Sequence, residues 1–300
     1  MKNSFWQLSL LIIIFSWVTL VASCGDRGSV FAGQRLQIVL VPEQNIYQQR
    51  QRYGVIAGYL SKHLDKDVRI TVMPTYGKVC DAFLEGKADV GFFGSFSYVL
   101  TRAKAGVEPL ARPVWLDGSS TYSGYIFVRK DSGIRSVKDM KNKRLALVDK
   151  ATTAGYIFQQ AYFKKQGIDR MAEYFREIHF AGSHDAAAWA VYTGEADVGG
   201  AKNHIFNALG KEYPDFYDKM LILARSSDVP SNGMVVRADL DAHLKARLKE
   251  LLLGLNDSPE GRLVLKEFGA MSFIENRDED YSSLYKMVAE LGLDLATYQY

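Results

Sequence analysis

Cysteine is scarce in this chain: Cys24 and Cys80 are the only two in 300 residues, and they offer no zinc-ligand spacing. A Gly-x-Ser-x-Gly nucleophile elbow is missing, and so is a Gly-rich phosphate loop ending in Gly-Lys-Ser/Thr. The formal charge is only +3, without the basic field that nucleic acid demands. Metal hydrolysis, serine-elbow chemistry, nucleotide hydrolysis and nucleic-acid binding therefore lose their usual signatures, and no cofactor or metal is expected.

What the chain does have begins at its start. Met1-Lys2-Asn3 carries one positive charge, and Leu8–Val21 is an apolar run without a charged residue. That run is short for a transmembrane helix and has the layout of a secretory signal. It ends Leu20-Val21-Ala22-Ser23-Cys24-Gly25, and small residues just before a cysteine resemble the bacterial lipobox, whose cysteine is acylated and becomes the mature N-terminus. The expectation is a lipoprotein signal peptide over 1–23, lipidation at Cys24 and a polar tether over 24–33. The protein would then be exported and lipid-anchored to a bacterial membrane, facing the periplasm or cell exterior. Loss of 1–23 removes one lysine and no acid, which takes the formal charge from +3 to +2. With Cys24 acylated, Cys80 has no disulfide partner. Between Val79 and Phe83 on an expected helix, it reads as a small core residue.

From Arg35 the pattern alternates. Strand-like runs at Arg35–Val41, Val68–Met73 and Ala88–Phe93 interleave with helical spacing at Tyr53–Leu64, Gly77–Glu85 and Ser97–Ala105. Such β-α-β repetition predicts a mainly parallel sheet flanked by helices, with ligands held beyond the carboxyl ends of the strands. The loops Pro42-Glu43, Thr75-Tyr76-Gly77 and Gly94-Ser95-Phe96-Ser97 fall there.

An internal echo predicts a second lobe. Residues 82–91 and 190–199 agree at six of ten positions without a gap, sharing a glycine after a helix and then Ala-Asp-Val-Gly. Glycine takes the left-handed position after a helix at little cost. Strand-like Tyr125–Arg129 and Met234–Arg237 each follow a polar stretch and read as the first strands after two crossings. The expected domains are 34–123 with 227–300 as a discontinuous first lobe, and 124–226 as the second, with a cleft between them.

The most informative stretch is Leu145–Tyr156. An apolar run stops at Asp149, and Thr152-Thr153-Ala154-Gly155 opens a helix. A helix N-terminus presents unpaired amides and partial positive charge, so it can hold an anion without a lysine. The threonines could equally be plain N-caps. His184 also lies at a strand-to-helix turn, and an anion beside it would favour imidazolium, which donates from both nitrogens. Its plain alternative is a surface histidine.

Gly124–Arg129, Asp131–Met140, Thr152–Tyr156 and Gly182–Ala186, taken in order, resemble the phosphonate-, phosphite- and phosphate-binding periplasmic proteins of ABC transporters. The resemblance implies a type II periplasmic binding protein, α/β in class, with two lobes, a hinge and an interlobe ligand cleft. It implies no enzyme activity, and as partners a small phosphorus oxyanion and ABC permease subunits. It places Thr152 and Thr153 on the phosphonyl oxygens, with Thr and Ala where the family usually has Ser. It adds His184, and the Tyr76 hydroxyl, whose alternative is a packed aromatic. Ser95, Tyr122, Ser123 and Asn232 complete the candidate set, with the backbone of Ala154 and Gly155. In aminophosphonate binders of the family, carboxylates hold the ligand ammonium. Here the matching places read Ser231-Asn232-Gly233 and Lys202-Asn203-His204, so a compact oxyanion is expected over 2-aminoethylphosphonate. A receptor feeding a membrane sensor would look the same. An enzyme on phosphorus esters would need an activated nucleophile, which His184, Asp185 and Thr152 do not provide.

Overall fold

The computed structural model describes residues 35–300; the expected signal peptide, Cys24 and the tether lie outside the described residues. Strand Arg35–Leu40 opens a six-stranded sheet, running in parallel with Asp67–Val72 on one side and Val90–Phe93 on the other. Beyond Val90–Phe93 come Gly233–Arg237, Val107–Trp115 and Ala270–Glu275, each antiparallel to its neighbour. The sheet is therefore mixed, with only three parallel strands where a mainly parallel one was expected. Strand Val107–Trp115 was not among the expected elements, and it holds Pro109 and Pro113, a residue type that argues against an interior strand. A register irregularity falls beside each proline, where the missing N–H is tolerated.

Helix Ile46–Leu64 covers one face of this sheet. Leu36, Ile38 and Leu40 pack with Tyr53, Ile56 and Leu60 in a single buried cluster, each side chain contributing about 1.5–3 kcal/mol. The helix starts two turns before the predicted Tyr53. The Asn45 side chain accepts the amides of Tyr47 and Gln48, and the first turns are too exposed to show an apolar period. Cys80 is buried in helix Tyr76–Leu84.

A second, five-stranded sheet runs Met220–Arg225, Gly124–Arg129, Val198–Lys202, Arg144–Leu147, Glu177–Phe180. The chain passes between the sheets at a two-stranded ribbon in which Thr121–Tyr122 pairs antiparallel with Val229–Pro230. The C-terminal part of the segment 227–300, expected in the first lobe, reaches across to the second, where helix Ser282–Leu291 packs on helix Phe158–Lys165. Lys164 Nζ donates to the Glu290 carbonyl (3.1 Å), and Tyr298 Oη to the Lys150 carbonyl (2.9 Å). That segment also touches the first lobe, where Tyr300 Oη donates to Asp81 (2.7 Å).

Candidate functional site

The carboxyl ends of both sheets meet around the loop after strand Arg144–Leu147. There the chain turns at Asp149 and enters a π-helical turn, Thr153–Ile157, continued by helix Phe158–Lys165. The first bond inside that turn runs from the Ile157 amide to the Thr152 carbonyl (3.1 Å). The amides of Thr153, Ala154, Gly155 and Tyr156 precede it and have no acceptor within the helix. Thr153, Ala154 and Gly155 are buried. Gly155 is fixed by space: a Cβ there would lie 2.4 Å from Val148 Cβ.

The two threonines divide the work. Thr152 donates its hydroxyl proton to the Asp149 carbonyl (2.6 Å), and its amide donates to the same oxygen (3.1 Å). Thr152 thus clamps the turn, and its hydroxyl is not the free donor the sequence suggested. Thr153 Oγ1 instead accepts the Phe96 amide from the first lobe (2.9 Å), leaving its own proton available. Ser97 Oγ donates to the Ala151 carbonyl (2.9 Å) beside it. Asp149 is half-buried, and the lost hydration pushes its carboxyl up, while it accepts the Ala151 amide (2.8 Å) and the Tyr76 amide (3.3 Å).

Tyr76 and His184 each open a helix, behind the N-cap hydroxyls of Thr75 and Ser183. Their rings meet edge to face at 6.2 Å. Tyr76 Oη is buried without a hydrogen-bond partner, as is Ser123 Oγ, which is the signature of groups awaiting one. Burial pushes the Tyr76 hydroxyl well up, with Glu43 and Asp149 adding to it. The imidazolium expectation was conditional on an anion beside the ring; the surroundings of His184 in the fold itself favour the neutral form. Its Nδ1 accepts the Lys202 amide (3.3 Å), so only Nε2 carries a proton to donate. Burial first, and then the Lys202 charge, push its pKa down to about 3.

Two residues missing from the candidate set complete the site. Lys202 Nζ bonds Glu43 Oε1 and donates to Asn232 Oδ1 (2.7 Å), 4.3 Å over the Tyr122 ring. Asn232 Nδ2 donates to Glu43 Oε2 (2.9 Å), and the His184 amide to the Glu43 carbonyl (3.2 Å). Burial raises the Glu43 pKa, but the Lys202 ammonium outweighs it and holds the carboxyl below its usual range. Asn232 and Tyr122 therefore serve this ion pair. Ser95 Oγ is spent on the Pro230 carbonyl (2.7 Å) at the ribbon. A cavity of about 250 Å³ lies outside the ion pair, with Tyr122, Lys202 and Asn232 in its wall; Thr152, Thr153 and His184 sit deeper, at most 4% exposed. Among the described residues no three His, Cys, Asp or Glu side chains group as a metal site.

The profile of a family described as "ABC transporter, phosphonate, periplasmic substrate-binding protein" matches residues 38–281. The chain belongs to that family. The Escherichia coli K12 phosphonates-binding periplasmic protein is 25% identical over 224 residues, which are 73% of this chain and 65% of that one. The phosphate-import protein PhnD of Mycolicibacterium smegmatis is 26% identical over 55% of this chain and 54% of its own length. The match thus spans less than two thirds of either relative. Among solved structures, a Prochlorococcus marinus protein in complex with methylphosphonate superposes with a TM-score of 0.76 at 21% identity, covering 86% of this chain and 98% of that one. At that identity the likeness speaks for the fold, the type II periplasmic binding protein. These relatives are binding and import proteins, and none is named as an enzyme.

Proposed function

We propose that this chain is the substrate-binding lipoprotein of an ABC importer, capturing phosphate, phosphite or a simple phosphonate between its lobes. One observation carries the reading: each lobe brings donors without an acceptor to this junction. The amides of Thr153–Tyr156 and the Thr153 and Ser123 hydroxyls stand in the second lobe and at its entrance. Tyr76 Oη comes from the first. Neutral donors in a dry setting suit an oxyanion, each charge-assisted bond being worth about 1.5–3 kcal/mol. Export and the lipid anchor rest on the sequence pattern at 1–24.

Calorimetric titration of the purified chain with phosphate, phosphite, methylphosphonate and 2-aminoethylphosphonate tests this. At least one compact oxyanion should bind, and 2-aminoethylphosphonate should bind more weakly. Thr153→Val should weaken that binding tenfold to a hundredfold, about 1.4 kcal/mol per decade; Thr153→Ser should keep it. No heat with any of the four compounds would end the proposal.

A further inference from the structure

Beside the phosphoryl loop lies a set of acceptors suited to an ammonium ion. Glu43 offers its Oε1 while its Oε2 holds the Asn232 amide, Asn232 offers its side-chain carbonyl and Tyr122 its ring face. Carboxylate, amide oxygen and aromatic face are the three kinds of group that hold an ammonium away from water. The Asn232–Glu43 bond fixes the amide so that its oxygen points inward. Gly94 makes room, since a Cβ there would sit 3.3 Å from Asn232 Oδ1. The occupant is Lys202 Nζ, arriving from the end of strand Val198–Lys202 in the opposite lobe, with its side chain 6% exposed and that of Glu43 17%.

We propose that Glu43, Asn232 and Tyr122 form an ammonium receptor that the chain fills with its own Lys202, and that Lys202 thereby bars phosphonates bearing a cationic substituent. A second ammonium finds every counter-charge taken. To enter it must break the Lys202–Glu43 pair and leave the lysine without its counter-charge, which is costly. A compact oxyanion needs nothing from this receptor. The adjoining cavity of about 250 Å³, walled by Tyr122, Lys202 and Asn232 with Trp115, gives a substituent room once the lysine amine is gone. For its ligand the inference rests on the proposed phosphorus-oxyanion reading; the receptor itself does not.

Lys202→Met keeps the apolar stem and removes the amine. Titrating wild type, Lys202→Met and the double variant Glu43→Gln/Lys202→Met with methylphosphonate and 2-aminoethylphosphonate reads the selectivity. The ratio of affinities should move at least tenfold toward 2-aminoethylphosphonate in Lys202→Met, and should return toward the wild-type value in the double variant. Lys202→Gln retains a neutral donor for Glu43 and should show the same shift, smaller, should the methionine variant not fold. A second arm uses no phosphorus: methylammonium chloride, against sodium chloride at equal ionic strength, should raise the melting temperature of Lys202→Met or Lys202→Gln only. Retained methylphosphonate binding with an unmoved ratio would overturn the selectivity role. An unmoved melting temperature in methylammonium would overturn the receptor. A wild type that takes phosphate or phosphite but neither phosphonate would overturn the selectivity role, and one that binds none of the four compounds would remove the proposed function; in both cases the methylammonium arm decides the receptor.

Discussion

Two stretches of the chain, 108 positions apart, build the same object and finish it differently. Thr75-Tyr76 and Ser183-His184 each set a hydroxyl N-cap before an aromatic ring that opens a helix. Gly86 and Gly194 both end that helix at positive φ, 66° and 83°. Asp89 and Asp197 then accept the amide of the neighbouring parallel strand, Gln37 (2.8 Å) and Arg144 (2.9 Å). Gly91 and Gly199 leave room for the helix residue eight positions back, Phe83 and Val191. The copies part where they meet: the Tyr76 ring lies edge to face with that of His184, and Gly94 stands where the second copy has Lys202. The scaffold positions tolerate only residues that close a strand and a helix, so they agree. The residues that reach into the cleft meet one another there, and two identical ones would collide or repel.

Acid should expose the largest difference between the copies. Tyr76 stays protonated throughout the ordinary pH range, whereas His184 is held neutral by burial, with its pKa at about 3. The unfolded chain takes up that proton near pH 6.5. Above this the residue has no effect; as pH falls from 6.5 toward 3, stability is lost at about 1.4 kcal/mol per unit. Asparagine can keep the acceptor for the Lys202 amide without titrating. The melting temperature of the ligand-free protein should fall between pH 7 and pH 5 by clearly more than that of His184→Asn. Parallel slopes would mean the second copy carries no titratable burden of its own.

The two aspartates should differ next. Asp197 adds to the strand amide a two-pronged pairing with the Arg144 guanidinium, at 3.1 Å and 2.8 Å. Those bonds hold its carboxyl below the usual range against the opposing effect of burial. Its contribution is present above about pH 4 and is lost as pH falls below that. Asp89 has only a longer contact, 3.6 Å, with Arg237. In urea at pH 7, Asp89→Asn should cost about 1 kcal/mol. Asp197→Asn should cost about 1 kcal/mol more, since both partners of its ion pair are partly exposed and screened. Equal midpoints would show that the guanidinium adds nothing to the shared scaffold bond.

How much of this was legible follows from where each signal lives. The Thr152–Tyr156 turn, Tyr76 and His184 sit where an apolar run meets a helix start, and such junctions are written in adjacent residues. Thr152 and Thr153 are neighbours of one type, so only backbone direction separates the clamp from the free hydroxyl. Glu43 and Lys202 are 159 positions apart, and Glu43 and Asn232 are 189 apart; no local pattern joins them. Lys202 was visible in the sequence only as a carboxylate not found. The strand Val107–Trp115 was hidden by its own prolines. The reach of residues 282–300 across to the second lobe was hidden because an amphipathic helix does not reveal which surface it meets.

The smallest effect is expected where the copies differ most in side chain. Gly94 has φ −70° and ψ 165°, so alanine fits the backbone without strain and lowers unfolded-chain entropy by about 0.4–1 kcal/mol. Against that, the new methyl group would sit 3.3 Å from Asn232 Oδ1. Asn232 cannot easily yield, being tied to Lys202 on one side and Glu43 on the other. Overpacking of this kind costs about 1 kcal/mol, so Gly94→Ala should leave the stability of wild type nearly unchanged. In Lys202→Met one of the two ties is gone, the asparagine can turn aside, and the entropy gain should emerge as about 0.5 kcal/mol of added stability. Urea midpoints of wild type, both single variants and the double complete the cycle. A coupling of zero would mean Gly94 does not feel the lysine that stands at its own position in the other copy.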